Sequence, residues 1–449
     1  MRASAGPHSG PETSPSRSEA ARREQAQRDK KNTAKEGRPL ARKAKRDMTI
    51  EQKLAHGPID LPFLALVMLL TAVGLIMLLS ASFANAMYNL DPDVDTGGDP
   101  MYYFNRQFVF AVIGVVAMFL IIRFFNYQWF RWMSVFALAG SVVLMLMVFI
   151  PYFGRSGGGA LRWIEIFGLR FQPSEFAKIG VVMFFAARLS KRNTQIGPPK
   201  KWNRRTLLGR TLERLDKIGF LELVPYGVAL VVVLGVIALQ KHMSAMILVL
   251  VGAASVLFAA GISLGWFAAA AAVAVPTLIF IITQTNYMAD RIKIWQNPLS
   301  DLKNGGYQPW QGRIAIGSGG LLGVGLGNSR QKYLFLPEEH NDYIFAIVCE
   351  ELGMVGAVVI IALFALLILR GFWLAIHARD RFGTLLIVGI MSLTGMQVFF
   401  NIGVVTGVLP PTGISLPFFS YGGTALVIQL AEMGMVLSVS RQIAAPKAE

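Results

Sequence analysis

Runs of about twenty apolar residues recur along this chain, and no other feature restricts its fold as much. The first reads LPFLALVMLLTAVGLIMLLSASF, from Leu61 to Phe83. A run of that length matches the hydrocarbon thickness of a bilayer when coiled as an α-helix. A chain crossing lipid must satisfy its own backbone groups, and a helix does so within one segment. Of 449 residues, 54% are hydrophobic and only 16% charged, which removes a soluble globular domain from consideration. Ten spans are expected: Leu61–Phe83, Phe108–Phe125, Met133–Tyr152, Pro173–Leu189, Leu223–Gln240, His242–Ala260, Leu264–Thr285, Tyr343–His377, Thr384–Leu409 and Leu416–Val439. The fifth and sixth are separated by almost nothing and form a tight hairpin. The fold class is an all-α polytopic membrane protein with about ten transmembrane helices. A large outer loop, about 286–342, joins the seventh and eighth. Residues 1–57 read as a disordered, basic cytosolic tail without a cleavable signal. Residues 58–442 form the membrane domain, and 443–449 a short C-terminal tail.

The formal charge of +16 does not point to nucleic acid. The basic residues concentrate beside spans, in ARKAKR (Ala41–Arg46), SKRNTQIGPPKKWNRRTLLGR (Ser190–Arg210) and HARDR (His377–Arg381). With ten spans these segments share one side with the C-terminus, and the positive-inside bias makes that side the cytosol. The single cysteine, Cys349, lies in an apolar span and permits no intrachain disulfide. Four distinctive segments then share the opposite, outer face: Gly154–Lys178, Gln240–Ser244, the loop of about 286–342, and Pro410–Gly423. ATP and nucleotide-sugars are absent there, so a substrate must be lipid-linked or already exported.

Asp301 stands in NPLSDLKNGGYQ, Asn297–Gln308. The surrounding turn residues allow a purely structural reading. The position on an outer loop equally allows a base that takes a proton from a sugar hydroxyl, or a ligand for a divalent cation. GSGGLLGVGLGNS, later in the loop, matches neither a dinucleotide fingerprint nor a phosphate loop. Its glycines suit close packing or a re-entrant turn. Arg162, Lys178 and Lys241 lie near the outer ends of spans three to six. Ionisable groups there are costly and are functional candidates, although Glu175 and Lys178, three residues apart, can simply pair. In PEEHNDYIFAIVCEELG, Glu338, Glu339, His340 and Asp342 could bind metal, but their spacing fits no standard zinc motif and acids suit a helix start. Glu350 and Glu351 fall deeper, with at least one facing the interior or an aqueous cavity. PPTGISLPFFSYGG either lines a binding cavity or forms a turn held by Ser420 and Tyr421.

Together, GALRWIEIFGLRFQPSEFAK, NPLSDLKNGGYQ, LPEEHNDYIFAIVCEELG and NIGVVTGVLPPTGISLPFFSYGG resemble the shape, elongation, division and sporulation (SEDS) family, the FtsW/RodA group of peptidoglycan polymerases. The resemblance covers residues 58–442. It implies a glycosyltransferase that uses lipid II, the undecaprenyl-pyrophosphate-linked disaccharide-pentapeptide. The family's essential aspartate falls on Asp301, which would activate the acceptor's 4-hydroxyl alone or with a divalent cation, Mg or Mn. Arg162, Lys178 and Lys241 become candidates for the pyrophosphates, with Lys178 the best motif match. Glu175, His242, Glu338, His340, Ser420 and Tyr421 complete the candidate substrate-binding set.

One departure stands out. Many members have a QPDLGT-like run at the start of the sixth span, whereas this chain has LQKHMSAMI, with His242 at the aspartate position. A two-carboxylate metal site loses one ligand there. The His340-containing motif and the basic tail resemble the division-type member. The resemblance also implies a class B penicillin-binding protein as transpeptidase partner, other divisome proteins, and a septal location in the bacterial cytoplasmic membrane with both termini cytosolic. An elongation-type polymerase, a lipid II flippase and a scaffold for a partner synthase remain the alternatives.

Overall fold

A computed structural model describes residues 57–88, 96–157, 160–166, 169–191, 219–284, 286–303, 305–333 and 335–443. They belong to one compact unit, Met48–Glu449. All but the last residue of the expected tail 1–57, most of the basic segment 190–210 and residues 444–449 lie outside the described residues, as does 91–95 of the acidic outer segment.

All ten expected spans are helices. They are α1 (Leu61–Tyr88), α2 (Tyr102–Phe124), α3 (Tyr127–Met147), α4 (Pro173–Ser190), α5 (Phe220–Leu239), α6 (Met243–Ala259), α7 (Leu264–Gln284), α10 (Ile344–His377), α11 (Arg381–Val405) and α12 (Gly423–Ile443). Seven of these are long and apolar enough by themselves to cross a bilayer: α1, α2, α3, α5, α10, α11 and α12. The chain is therefore a multi-pass membrane protein. Pro173 opens α4, where its missing N–H costs nothing. Asn126 and Asp380 cap α3 and α11 by accepting from the backbone N–H groups of Gln128 and Gly383.

The ends of the bundle are stapled separately. At the end holding both described termini, Arg370 donates to Asp60 at 2.6 and 3.1 Å. Tyr127 and Gln128 donate to Asp380 at 2.6 and 3.0 Å, and Arg381 donates to the carbonyl of Ala260 at 2.6 Å. At the other end, Arg162 reaches the α5–α6 turn, and Arg291 reaches the α11–α12 connection. Of the four segments assigned by parity to one face, Gly154–Lys178 thus touches Gln240–Ser244, and the outer loop touches Pro410–Gly423.

The mostly helical structure agrees with the all-α expectation and adds two details to it. A small sheet accompanies the helices. Gly154–Phe171 forms a three-stranded antiparallel sheet: β1 (Gly154–Gly157), β2 (Ala160–Ile166) and β3 (Leu169–Phe171). Its register pairs Arg155 with Trp163 and Glu165 with Arg170, and Ile164 is fully buried beneath it. The outer loop also carries helices: α8 (Asn286–Gln296), a 3₁₀ turn (Pro298–Asp301) and α9 (Tyr307–Gly319).

α10 is interrupted at Gly353, whose φ of 67° is left-handed. The glycine-rich segment after α9 fills the break. The N–H groups of Val324 and Gly325 donate to the carbonyls of Glu350 and Glu351 at 3.0 Å each. Met354 and Val355 donate in turn to Gly320 and Leu321 at 2.9 and 3.1 Å. Backbone groups freed by the break are thus satisfied by protein, as non-helical backbone near lipid requires. Gly319 and Gly323 pack so closely on α10 that a Cβ would lie 2.0 Å from the Cys349 oxygen and 2.1 Å from the Glu351 oxygen.

Candidate functional site

Asp301 ends the 3₁₀ turn between α8 and α9. Pro298 opens that turn with its fixed φ, and Ser300 closes it by donating to the carbonyl of Asn297 at 2.6 Å. The Gly306 N–H donates to the carbonyl of Asp301 at 3.0 Å. Only glycine fits there: a Cβ at position 306 would lie 2.1 Å from the Pro298 oxygen and 2.8 Å from the Asp301 oxygen. The turn residues therefore fix where the Asp301 side chain, itself half-exposed, leaves the backbone.

The two flanking helices are anchored separately. Arg291 and Trp295 of α8 donate to the carbonyls of Pro411 and Gly407 at 2.7 and 2.9 Å. Gln308 of α9 donates to the carbonyl of Pro337 at 3.2 Å and to Asp342 Oδ1 at 3.3 Å. Gly312 lets α9 approach the Tyr343 ring, which a Cβ would meet at 2.7 Å.

A second group assembles from β2, α4 and the α5–α6 turn. Arg162 Nη2 donates to the carbonyl of Lys241 at 3.2 Å. Lys241 itself takes a positive φ of 54° and its side chain is exposed. His242, buried at the head of α6, sits 3.2 Å from Ser174 Oγ, with Gln172 Nε2 at 3.3 Å from its other ring nitrogen. Lys178 Nζ lies 2.7 Å from Glu175 Oε2, and both side chains are nearly buried. Glu432 of α12, also buried, is in electrostatic reach of Lys178 and Glu175. Sequence reasoning passed over Glu432, although a lone acid within LVIQLAEMGMVL was a signal in its own right. Above this group, Glu165 lies 3.2 Å from both Arg170 and Arg155. The Arg170 hydrogen bond, with Arg155 beside it, holds its carboxyl below the usual range.

His340, Ser420 and Tyr421 form a third group. Tyr421 N–H donates to the carbonyl of His340 at 2.8 Å, and Ser420 Oγ donates to that of Asn341 at 2.6 Å. Ser420 Oγ also accepts from the N–H of Leu416 at 2.8 Å. Tyr103 of α2 packs on both rings, 4.7 Å from His340 and 5.0 Å from Tyr421 between centroids. Ser420 thus holds the α11–α12 connection against the start of α10. Glu338 is exposed, at a positive φ of 55°, and accepts from Asn341.

Glu350 and Glu351 both face inward, and both have partners. Lys332 Nζ lies 3.1 Å from Glu351 Oε1, and Ser80 of α1 donates to the same carboxylate at 2.7 Å. Glu350 accepts from Ser329 Oγ at 2.5 Å and from the N–H of Arg330 at 3.0 Å. This knot ties the end of the outer loop to α1 and α10.

No group of three His, Cys, Asp or Glu side chains able to hold a metal occurs among the described residues. The Glu338, Glu339, His340 and Asp342 side chains do not converge: Glu338 is exposed, Glu339 lies 3.7 Å from His340 Nδ1, and Asp342 faces α9. The structure brings Arg162, Glu175, Lys178, Lys241 and His242 together. It sets Asp301 on its own platform, and His340 with Ser420 and Tyr421 in a third place.

Comparison with known proteins agrees over the whole membrane unit. A family model for cell cycle proteins, FtsW/RodA/SpoVE, matches residues 60–445. "Probable peptidoglycan glycosyltransferase FtsW" of Geobacter metallireducens is 37% identical over 384 residues, covering 86% of this chain and 95% of that protein. Stage V sporulation protein E of Bacillus subtilis is 35% identical over 382 residues, covering 85% and 97%. Among solved structures, a chain from a peptidoglycan synthase complex that coordinates polymerization and crosslinking superposes with a TM-score of 0.63. It is 28% identical, covering 86% of this chain and 98% of that one. The rod shape determining protein RodA of Thermus thermophilus gives a TM-score of 0.56 at 26% identity, covering 85% and 97%.

Proposed function

This chain belongs to the FtsW/RodA/SpoVE family of cell cycle proteins, and from that premise we propose that it polymerises lipid II at the outer face of the cytoplasmic membrane during septal wall synthesis. It is a peptidoglycan glycosyltransferase of the division type, as its relatives' names support. The observation that carries the mechanism is the Asp301 turn, a carboxylate aimed by a glycine-dependent loop on the face where lipid-linked sugars are found.

In the reaction, Asp301 takes the proton of the acceptor's 4-hydroxyl as that oxygen attacks the anomeric carbon of the growing strand. The new bond is oxygen to carbon. The bond that breaks joins the same carbon to pyrophosphate, and undecaprenyl pyrophosphate leaves with the electron pair. Arg162, Lys178 and Lys241 are the cations for that developing charge. A single carboxylate such as Asp301 suits Mg or Mn, which bind through one or two carboxylates and substrate phosphates. Such an ion would supply Lewis-acid stabilisation of the pyrophosphate. Asp301 would hold it.

A transpeptidase partner follows from the likeness to the synthase complex. Its nature as a class B penicillin-binding protein, and the company of other divisome proteins at the septum, belong to the same proposal. The test is polymerisation of fluorescent lipid II by the full chain with its partner. Glycan ladders that disappear in Asp301→Asn, with the protein still folded and partner-bound, support the reading. Lipid II translocation into vesicles without polymer overturns it in favour of a flippase.

A further inference from the structure

Asp342, just before α10, joins α9, α11 and the α11–α12 connection, with Arg291 of α8 in electrostatic reach. Its carboxylate accepts from Gln308 of α9 at 3.3 Å. Its backbone carbonyl accepts from Asn401 of α11 at 2.7 Å, and the same amide also donates to the carbonyl of Ile414 at 2.8 Å. Its other carboxylate oxygen faces Gly413, whose Cβ would lie 3.8 Å away. Arg291 of α8, anchored on Pro411, acts on the same carboxylate electrostatically.

We propose that Asp342 is a positioning residue for the polymerisation step: through Gln308 and Arg291 its ionised carboxylate holds α9 and α8 at the spacing in which their shared turn presents Asp301. This rests on the reading of Asp301 as the reacting carboxylate. The link is short, because Gln308 lies two residues past Gly306, whose N–H closes the Asp301 turn.

The charged surroundings make this tie sensitive to pH. Burial pushes the Asp342 carboxyl up to about 7, and the neighbouring Glu338 adds to the shift. Gln308 and Arg291 oppose it. Arg313 of α9 and the phenol of Tyr343 complete the titratable and charged groups at this corner. α11 contributes the Asn401 amide, and the α11–α12 connection contributes the backbone at Gly413. Below about 7 the carboxyl is neutral and its pull on Arg291 is lost.

The experiment follows kcat, KM and unfolding temperature of the full chain with its partner, from pH 5.5 to 8.5, using fluorescent lipid II. Wild type should lose kcat as pH falls through about 7. Asp342→Asn should lower kcat at pH 8 by tenfold or more, leave KM within about twofold, and abolish the limb near 7. Its unfolding temperature at pH 8 should stay level or rise, since a partly buried charge is removed. Gln308→Ala should move the limb to higher pH, because it removes a donor that favours the ionised form. A wild-type kcat and limb in Asp342→Asn overturns the proposal, as does a fall in kcat matched by a fall in unfolding temperature. The two readings separate cleanly: Asp301→Asn without activity beside a normal Asp342→Asn defeats only the Asp342 proposal. Normal polymerisation by Asp301→Asn defeats the underlying assignment.

Discussion

Lys178 Nζ and Glu175 Oε2 lie 2.7 Å apart at the start of α4, three residues apart and both nearly removed from solvent. Pairing and substrate binding are not exclusive readings of this contact. The pair neutralises a buried cation, and in the proposed reaction a pyrophosphate would compete with Glu175 for it.

Removing one member of such a pair strands the other charge, at a cost of about 3–5 kcal/mol. Lys178→Met should therefore lower stability and abolish polymerisation. Glu175→Gln combined with Lys178→Met should recover most of the stability and none of the activity. Thermal unfolding and glycan synthesis on the same preparations check both.

Gly306 should be as sensitive as Asp301. Gly306→Ala forces a Cβ against two carbonyl oxygens, at 2.1 and 2.8 Å, and the turn must open. Polymerisation should fall tenfold or more with the bundle intact. Gly317→Ala, on the same outer segment in α9, meets nothing within 4 Å. It should keep full activity and gain up to about 1 kcal/mol from helix propensity. Assaying the two variants side by side separates turn geometry from general loss of glycine.

Ser420→Ala removes one donor and one acceptor that tie the α11–α12 connection to α10. A loss of about 1–3 kcal/mol is expected, read as faster amide exchange over 416–421 with the Lys178 group unaffected.

Asp342 gives stability a definite pH slope. Its folded carboxyl titrates near 7, above its ordinary 3.8, so the folded state holds the proton more tightly. That contribution is fully present below about 3.8 and is lost as pH rises through about 7. Asp342→Asn should flatten this part of the unfolding-temperature profile, a direct check on the sign.

Much of the fold was legible because apolar length is a strong signal. Leu61, Pro173 and Leu264 begin helices where the sequence places them. α2 and α3 begin at Tyr102 and Tyr127, ahead of the expected Phe108 and Met133, and the tenth span departs as well. Leu416–Phe419 is apolar enough to extend it, yet Phe418 takes a positive φ of 65° in the connecting turn, and α12 starts only at Gly423. The sheet was missed because β2 is short and flanked by glycine, so its alternation spans few residues. α8 and α9 were missed because polar and glycine residues dilute their periodicity, and tertiary anchors such as Trp295 to Gly407 hold them instead.

Within the site, residue types pointed to chemistry, but partnership needed the fold. His242 reads as a substituted aspartate in sequence. In the structure it packs against Ser174 and Gln172, beside the Arg162 and Lys178 cations. Glu432 supplies a carboxylate to Lys178 and Glu175 from a helix about 250 residues further along the chain, a relation no local pattern carries.

The most direct measurement is lipid II polymerisation by Asp301→Asn with its partner bound, compared with wild type at equal folded protein. No glycan ladder, with partner binding and unfolding temperature unchanged, is the predicted result. Wild-type ladders from Asp301→Asn would contradict the assignment of Asp301 as the group that activates the acceptor.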